Sequence, residues 1–168
     1  LFSEDKVNGF NAITRKAIFA GLRRWFPELI PTARLWYSRL GRLFIRGDLG
    51  FTLALGPDGV PYFSAEGCTQ GDPLGPFLFA VGYHFDLLRT QARHPDVTIA
   101  GYLDDTYYLG EPRQAYAALN TGTAQCARTG NDGGSPGCGV ASNLAKQEAF
   151  APLGAHVLDF LPSTFRGA

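Results

Sequence analysis

The chain has 168 residues, of which 45% are hydrophobic and 18% are charged. This composition is typical of a globular protein and argues against a disordered chain or one embedded in a membrane. Fifteen lysines and arginines balance fifteen aspartates and glutamates, so no overall positive charge indicates a nucleic-acid partner. The basic residues are nevertheless concentrated, because eight of them lie between residues 15 and 46.

The three cysteines, Cys68, Cys126 and Cys138, show no spacing typical of a disulfide framework or a zinc site. We therefore expect neither. No apolar run is long enough to span a bilayer and no signal peptide is recognisable, so no membrane partner is expected. Methionine is absent throughout, including at position 1, which leads us to expect a piece of a longer polypeptide.

The first third of the chain predicts a strand followed by two helices. Residues 1–5 are expected to form the end of a strand. Apolar residues at helical spacing then predict a helix over residues 8–24. Two prolines end this helix and open a second one over residues 32–40. Turn signals between residues 43 and 63 predict short strands there.

A long helix is predicted after the loop that ends at residue 71. Asp72 is expected to be its N-cap and Pro73 its first residue, because both types are favoured at these positions. The helix should run to about Arg93 and should be central and buried, since it is apolar over most of its surface. His84 within it is expected to be a packed residue and not a ligand, because no partner is near in sequence.

Two β-rich runs, residues 97–103 and 106–109, flank the adjacent carboxylates of Asp104 and Asp105. The pattern predicts a β-hairpin with both carboxylates at its tip, where tight turns favour Asp. Such a tip offers only hard oxygen ligands, which suit Mg²⁺ or Mn²⁺. The alternative is a surface turn with two solvated aspartates, which is a common arrangement.

The last third of the chain predicts one helix, one loop and one strand. An alanine-rich stretch predicts a helix over residues 112–128, and glycines, serine and asparagine predict a flexible loop over residues 129–137. Residues 143–150 change from polar to apolar, which favours entry into a short strand.

Four segments carry patterns typical of a known family. Residues 5–11 read DKVNGFN, residues 70–79 read QGDPLGPFLF, residues 102–105 read YLDD, and residues 139–146 read GVASNLAK. In this order they resemble the palm of reverse transcriptases, most closely the non-long-terminal-repeat retrotransposon and group II intron lineage. The corresponding motifs there are DxxNAFN, QGDPLSPxLF, a pair of aspartates usually preceded by Ala, and NxxK.

The resemblance implies an α+β fold, a polymerase palm with an antiparallel sheet and helices packed on one face. It implies RNA-directed DNA polymerisation by two-metal nucleotidyl transfer, in which carboxylates from separate segments hold two Mg²⁺ or Mn²⁺ ions. Asp5, Asp104 and Asp105 are the expected catalytic metal ligands, with Asp105 either a ligand or a support for its neighbour. Lys146 is the expected proton donor to the leaving pyrophosphate, with a solvated surface lysine as the alternative.

The resemblance also implies four substrate contacts. Phe10 would be the sugar gate, whose ring clashes with a ribose 2′-hydroxyl, and the alternative is a core Phe at the start of a helix. Gln70 and Gly71 would contact the incoming nucleotide and the template base, because an amide can hydrogen-bond and Gly lets the backbone approach closely. Tyr102 would touch the primer terminus, with an ordinary β-face tyrosine as the alternative.

The expected partners are an RNA template, a DNA primer and deoxynucleoside triphosphates. The fingers and thumb of the family should precede residue 5 and follow residue 146, so residues 1–168 are expected to be a partial palm, truncated at both ends. One rival is a decayed, non-catalytic remnant that packs or binds nucleic acid. A second rival is an RNA-dependent RNA polymerase, against which Phe10 argues because that class must admit the 2′-hydroxyl.

Overall fold

The structure is a computed structural model that describes most of the chain. The described residues are 1–48, 50–69, 71–127, 136–162 and 165. Gln70 and most of the loop predicted over residues 129–137 lie outside these ranges, so the structure does not test those two predictions.

Five α-helices and eight strands form within the described residues. The helices are α1 (Gly9–Ala12), α2 (Arg15–Trp25), α3 (Ile30–Tyr37), α4 (Gly75–Arg93) and α5 (Pro112–Cys126). The strands are β1 (Phe2–Glu4), β2 (Gly41–Arg42), β3 (Phe44–Gly47), β4 (Gly50–Leu53), β5 (Phe63–Ser64), β6 (Thr98–Tyr102), β7 (Asp105–Leu109) and β8 (Glu148–Ala149). Short 3₁₀ turns cover Pro27–Leu29, Leu144–Lys146 and Ala155–Leu158.

The main sheet has four antiparallel strands in the order β6-β7-β1-β8. Its central pair, β7 and β1, aligns Phe2 with Tyr108 and Glu4 with Thr106. Helix α4 packs against β6, and α5 packs against β7 and β1. The predicted α+β class, with an antiparallel sheet and helices packed on one face, is confirmed.

The apolar side chains divide between two packed regions. One lies among α1, α2 and α4 and includes Ile18, Leu22 and Phe79. The other lies between the sheet and α5, where Phe2 and Tyr108 meet the small residues of α5. Small helix residues let α5 approach the sheet closely enough to seal this face.

A buried ion pair lies on the helix-covered face of β1. The side chains of Glu4 and Lys6 are both fully buried, and Lys6 Nζ lies 2.7 Å from Glu4 Oε1. Tyr108 and Thr123 each donate a hydroxyl to the Glu4 carboxylate at 2.9 Å. Ser142 also donates to Glu4, and it accepts from Lys6 Nζ at 3.3 Å. The pair therefore joins β1, β7, α5 and the segment before residue 143 in one network.

The helix predicted over residues 8–24 is two helices, so that prediction was wrong in its continuity. Ile13 has extended backbone angles, and Thr14 is the N-cap of α2, its hydroxyl accepting from the Ala17 amide at 3.2 Å. The Thr14 amide donates to the carbonyl of Cys138 at 2.8 Å. A capping side chain and a distant backbone partner together outweigh the helical periodicity.

The long helix begins later than predicted. Helix α4 starts at Gly75, and Asp72 forms a turn ahead of it, with Asp72 Oδ1 accepting from the Leu74 amide at 2.9 Å. The Asp72 carboxylate also accepts the Tyr37 hydroxyl, which holds it away from the first amides of the helix. Asp72 is therefore not the N-cap, and Pro73 is not the first helical residue.

The position of α4 agrees with the sequence, because this helix packs against α2, α5 and β6. Leu88 departs from the predicted burial and is 46% exposed. His84 packs edge-on against the ring of Trp25, with ring centres 4.9 Å apart. Helix α3 starts and ends two or three residues earlier than predicted. Within the described part of the chain, no helix is both long and apolar enough to cross a bilayer.

We predict that Lys6→Met destabilises the fold by about 3–5 kcal/mol, because it leaves the Glu4 carboxylate buried without its cation. Urea unfolding followed by circular dichroism measures this change. The double variant Glu4→Gln/Lys6→Met should lose less stability, since no unpaired charge remains. A loss of stability below about 1 kcal/mol for Lys6→Met, as for an exposed pair, would contradict a buried ion pair at this position.

Candidate active site

Three aspartates from two distant segments meet at one end of the main sheet. Asp5 directly follows β1, Asp104 lies in the two-residue turn between β6 and β7, and Asp105 is the first residue of β7. Continuing the β1–β7 register by one residue brings Asp5 opposite Asp105. Side chains alternate between the two faces of a strand. The carboxylates of Asp5 and Asp105 therefore lie on one face of the sheet, and the buried Glu4 lies on the other.

A cavity of about 760 Å³ opens on this uncovered face of the sheet. Its lining includes all three aspartates together with Tyr107, Lys146 and Glu148. The structure thus brings together four predicted site residues, namely Asp5, Lys146 and the two aspartates of the hairpin.

The turn that carries Asp104 packs directly on the segment after Asp5. A Cβ atom built on Gly9 would lie 3.3 Å from Asp104 Cβ, 3.3 Å from Lys6 Cβ and 3.2 Å from the Phe79 ring. The family motif has Ala at this position, and the space here is tight for that extra atom. The absence of a side chain at Gly9 therefore lets α1 and the hairpin turn approach closely.

The backbone of the hairpin turn is strained. Leu103 has a φ of 57°, in the left-handed region that bulky residues rarely occupy. Such strain persists only where surrounding structure enforces it, and it is concentrated at functional sites. Here the strained residue directly precedes Asp104, the predicted metal ligand.

Lys146 is held beside Asp5 by the backbone. The Asn143 amide donates to the Asp5 carbonyl at 2.9 Å, and the Lys146 amide closes a turn on the Asn143 carbonyl at 3.0 Å. Lys146 Nζ then reaches Asp5 Oδ2 at 2.7 Å, although the lysine side chain is 66% exposed. The hydrogen bond to Asp5 and the charge of that carboxylate raise the pKa of Lys146 above its ordinary value.

The carboxylates influence one another electrostatically. Partial burial is the main cause that raises the pKa of Asp105 above its ordinary value of 3.8, and the charges of Asp104 and Asp5 raise it further. Lys146 acts in the opposite direction. The site therefore concentrates negative charge that a single lysine balances only in part, as a cation site requires.

The donor set of this site fits a hard divalent cation. Asp5, Asp104 and Asp105 offer only carboxylate oxygens, which Mg²⁺ and Mn²⁺ prefer. The three carboxylates line the same cavity. Their oxygens do not all lie within 4.8 Å of one another. Like charges repel, and Lys146 draws Asp5 Oδ2 towards itself.

A tighter group of possible metal ligands within the described residues consists of Asp86, Cys126 and Cys138, all buried. Their hydrogen bonds give this group a structural role. Asp86 accepts the Cys138 amide at 2.7 Å and pairs with Arg89 at 3.2 Å. Asp86 thereby anchors the segment that leads to Lys146.

Phe10 has two different neighbours. One face of its ring stacks on Phe79, with centres 5.0 Å apart and an interplanar angle of 22°. Phe10 also lines a cavity of about 340 Å³ together with Gly71, Asp72 and Pro76. One side of the ring is therefore packed, and the other faces a space beside Gly71, in the loop of residues 69–72 that we call the predicted substrate loop.

Gly71 and Tyr102 both present accessible surface. Gly71 has a φ of 86°, which favours glycine, and a Cβ at this position would meet no atom within 4 Å. Tyr102 is 72% exposed and pairs with Asp105 in the β6–β7 register, so the two side chains share one face of the sheet. Gln70, the remaining predicted contact, lies outside the described residues.

Sequence reasoning missed Glu4 and Lys6, which support the site from the opposite face. The sequence did contain a signal, because Glu4 and Lys6 are two residues apart and of opposite charge. Residues two apart in extended chain point to the same face, so a buried ion pair on one face of the sheet could have been predicted.

Comparison with known proteins gives two findings. No protein-family model matches the chain. The "Retrotransposable element SLACS 132 kDa protein" of Trypanosoma brucei gambiense is 33% identical to it over 113 residues, which cover 66% of this chain and 9% of that protein. The chain thus contains a retrotransposon-related region.

We predict that Asp105→Asn raises the melting temperature at neutral pH. Because the pKa of Asp105 is raised in the folded chain, its ionised form destabilises the fold above the ordinary carboxyl pKa, and Asn removes that charge. As pH falls through the raised pKa the aspartate takes up a proton, so the gain should shrink and vanish below pH 3.8.

Thermal unfolding at a series of pH values measures the gain. Asp48→Asn, which changes an exposed turn residue outside the cavity, is the control. An Asp105→Asn variant less stable than the wild type at neutral pH would contradict the prediction.

Proposed function

We propose that this chain is the palm of a reverse transcriptase and serves RNA-directed DNA polymerisation within a mobile element. The observation that carries the proposal is the convergence of Asp5, Asp104 and Asp105, from segments about 100 residues apart in sequence, on one open face of an antiparallel sheet. The similarity to a retrotransposable element protein supports the same function. The partners are then an RNA template, a DNA primer and deoxynucleoside triphosphates.

In this function the three aspartates would hold two Mg²⁺ or Mn²⁺ ions. Bound there, the ions would supply positive charge where negative charge develops, on the attacking 3′-hydroxyl oxygen and on the leaving pyrophosphate. The 3′-hydroxyl gives its proton to solvent as its oxygen forms a bond to the α-phosphorus, while the bond from that phosphorus to pyrophosphate breaks. The carboxylates come from a strand end and a strained turn, so their separation is set by the sheet before substrate binds.

Lys146 serves as the proton donor to the leaving pyrophosphate. A lysine ammonium carries its proton at neutral pH, and the exposed side chain can move from Asp5 to a bound phosphate. A cation that carries a proton beside the leaving group lowers the cost of the charge that develops there.

Phe10, Gly71 and Tyr102 form the substrate surfaces. The Phe10 ring excludes a ribose 2′-hydroxyl from the cavity that it shares with Gly71. The open space at Gly71 admits a base or sugar against the backbone. Tyr102, exposed on the face that carries Asp105, offers an aromatic surface to the primer terminus.

We predict that Phe10→Val raises the ratio of ribonucleotide to deoxynucleotide incorporation by about tenfold or more, since it removes a steric clash and leaves the carboxylates in place. The assay is single-nucleotide primer extension on an RNA template, with the longest polypeptide that carries this chain. An unchanged ratio together with lower stability would make Phe10 a packing residue and would weaken the case against an RNA-synthesising polymerase.

The same assay tests the function itself. Asp104→Asn should abolish incorporation of both sugars, whereas Asp96→Asn, at an exposed position outside the cavity, should retain it. Equal activity in both variants would contradict polymerisation at this site. Absence of extension by the wild type with any divalent metal would favour a non-catalytic remnant.

A further inference from the structure

A second cavity, of about 480 Å³, lies between α2 and α3. We call it the basic cavity, because its lining contains five cationic side chains: Arg15, Lys16, Arg23, Arg34 and Arg39. The other lining residues are uncharged, among them Phe19 and Tyr37. Five of the nine basic residues between positions 6 and 46 thus converge on one site, in a chain of zero formal net charge.

No carboxylate lines the basic cavity within the described residues. The ion pairs found in those residues join Lys6 to Glu4, Arg89 to Asp86 and Lys146 to Asp5, and none includes a cation of the basic cavity. Glu66 is nearby and accepts a hydrogen bond at 2.7 Å from the backbone amide of Arg15. The positive charge of the cavity is thus largely uncompensated.

Arg15 is held rigidly at the wall of the basic cavity. Its guanidinium donates to the carbonyls of Gly67 and Arg39 at 3.4 and 3.0 Å and to the hydroxyl of Ser64 at 3.0 Å. It also lies 5.4 Å from the centre of the Tyr37 ring. All of these partners are neutral, so the guanidinium is fixed in position while its charge remains available.

Five cations around one cavity repel one another, and a multivalent anion relieves that repulsion. Arg15 and Arg23 are eight residues apart on α2, which corresponds to about 12 Å along the helix axis. This length exceeds a single phosphate and matches several successive phosphates of a nucleic-acid strand, which rise about 3.4 Å each in a duplex. The spread of the charges therefore favours a phosphodiester backbone over a small anion.

The basic cavity adjoins the predicted substrate loop through one residue. Tyr37 lines it, and the Tyr37 hydroxyl donates to Asp72 and accepts from the Thr69 amide at 3.3 Å. Thr69 and Asp72 in turn line the cavity that contains Phe10 and Gly71. A strand lying in the basic cavity would thus pass beside the loop that faces the incoming nucleotide.

We propose that the basic cavity binds the sugar–phosphate backbone of a single nucleic-acid strand. The identity of the strand rests on the proposed function, whereas binding itself requires neither metal ions nor catalysis. The site is separate from the carboxylate cavity, with which it shares no lining residue.

The test measures binding of a fluorescein-labelled single-stranded RNA of mixed sequence to the full chain by fluorescence anisotropy, without divalent metal. Arg23→Glu/Arg34→Glu should weaken binding about tenfold or more and reduce the slope of log affinity against log salt by about 0.7 for each lost phosphate contact. The matched control is Arg24→Glu/Arg93→Glu, which changes the net charge equally at two exposed positions outside the basic cavity. It should change affinity less than twofold at moderate salt, where charges beyond the contact surface are screened.

Circular dichroism verifies that both double variants are folded, and Arg34→Gln provides a milder change with the same expected direction. Equal loss of RNA affinity in the two double variants would overturn the proposal, because it would reflect net charge alone. Inorganic triphosphate as a competitor distinguishes the source of the phosphate. The proposal also fails if Arg23→Glu/Arg34→Glu loses triphosphate binding but keeps RNA binding.

RNA binding without divalent metal and primer extension, measured separately, distinguish this proposal from the proposed function. If RNA binding depends on Arg23 and Arg34 but no polypeptide carrying the chain extends a primer, the polymerase proposal fails and the basic cavity remains a strand-binding site.

Discussion

The buried pair of Glu4 and Lys6 is the constraint on which the site depends. These residues flank Asp5 in sequence, and both side chains are fully buried on the helix-covered face. Because a one-residue slip turns every side chain of a strand to the other face, such a slip in β1 would expose Phe2 and bury Asp5. Buried charges are tolerated only when paired and hydrogen-bonded. The slip would turn Lys6 to the open face together with Glu4, so Asp5 would be buried without that cation. The pair therefore fixes Asp5 on the open face.

The same network places the second half of the site. Ser142 donates to Glu4, and the amides of Val7 and Asn143 bind across to the neighbouring segment at 2.8 and 2.9 Å. These bonds determine where the turn containing Lys146 begins and hence bring its ammonium to Asp5. Tyr108, which donates to Glu4 from β7, connects the network to the strand that starts at Asp105. One buried carboxylate thus links the two segments that carry the predicted metal ligands.

The sequence predicted local elements better than the boundaries that depend on distant hydrogen-bond partners. The hairpin at Asp104 followed from two β-rich runs around a turn-forming pair, since both signals are local. The break at Thr14 and the late start of α4 were missed, because distant partners decide them: the carbonyl of Cys138 and the hydroxyl of Tyr37. The basic cavity could not be predicted either, since it forms only when α2 and α3 fold against each other.

The proposed function requires that Asp5 and the Asp104–Asp105 turn share bound metal. Fe²⁺ can replace Mg²⁺ at oxygen-ligand sites, and with ascorbate and hydrogen peroxide it cuts the backbone beside the site where it is bound. The account predicts cuts next to Asp5 and next to Asp104 in the same sample, both suppressed by excess Mg²⁺ and both absent in Asp104→Asn. Cuts at one of these positions alone, or only elsewhere in the chain, would contradict it.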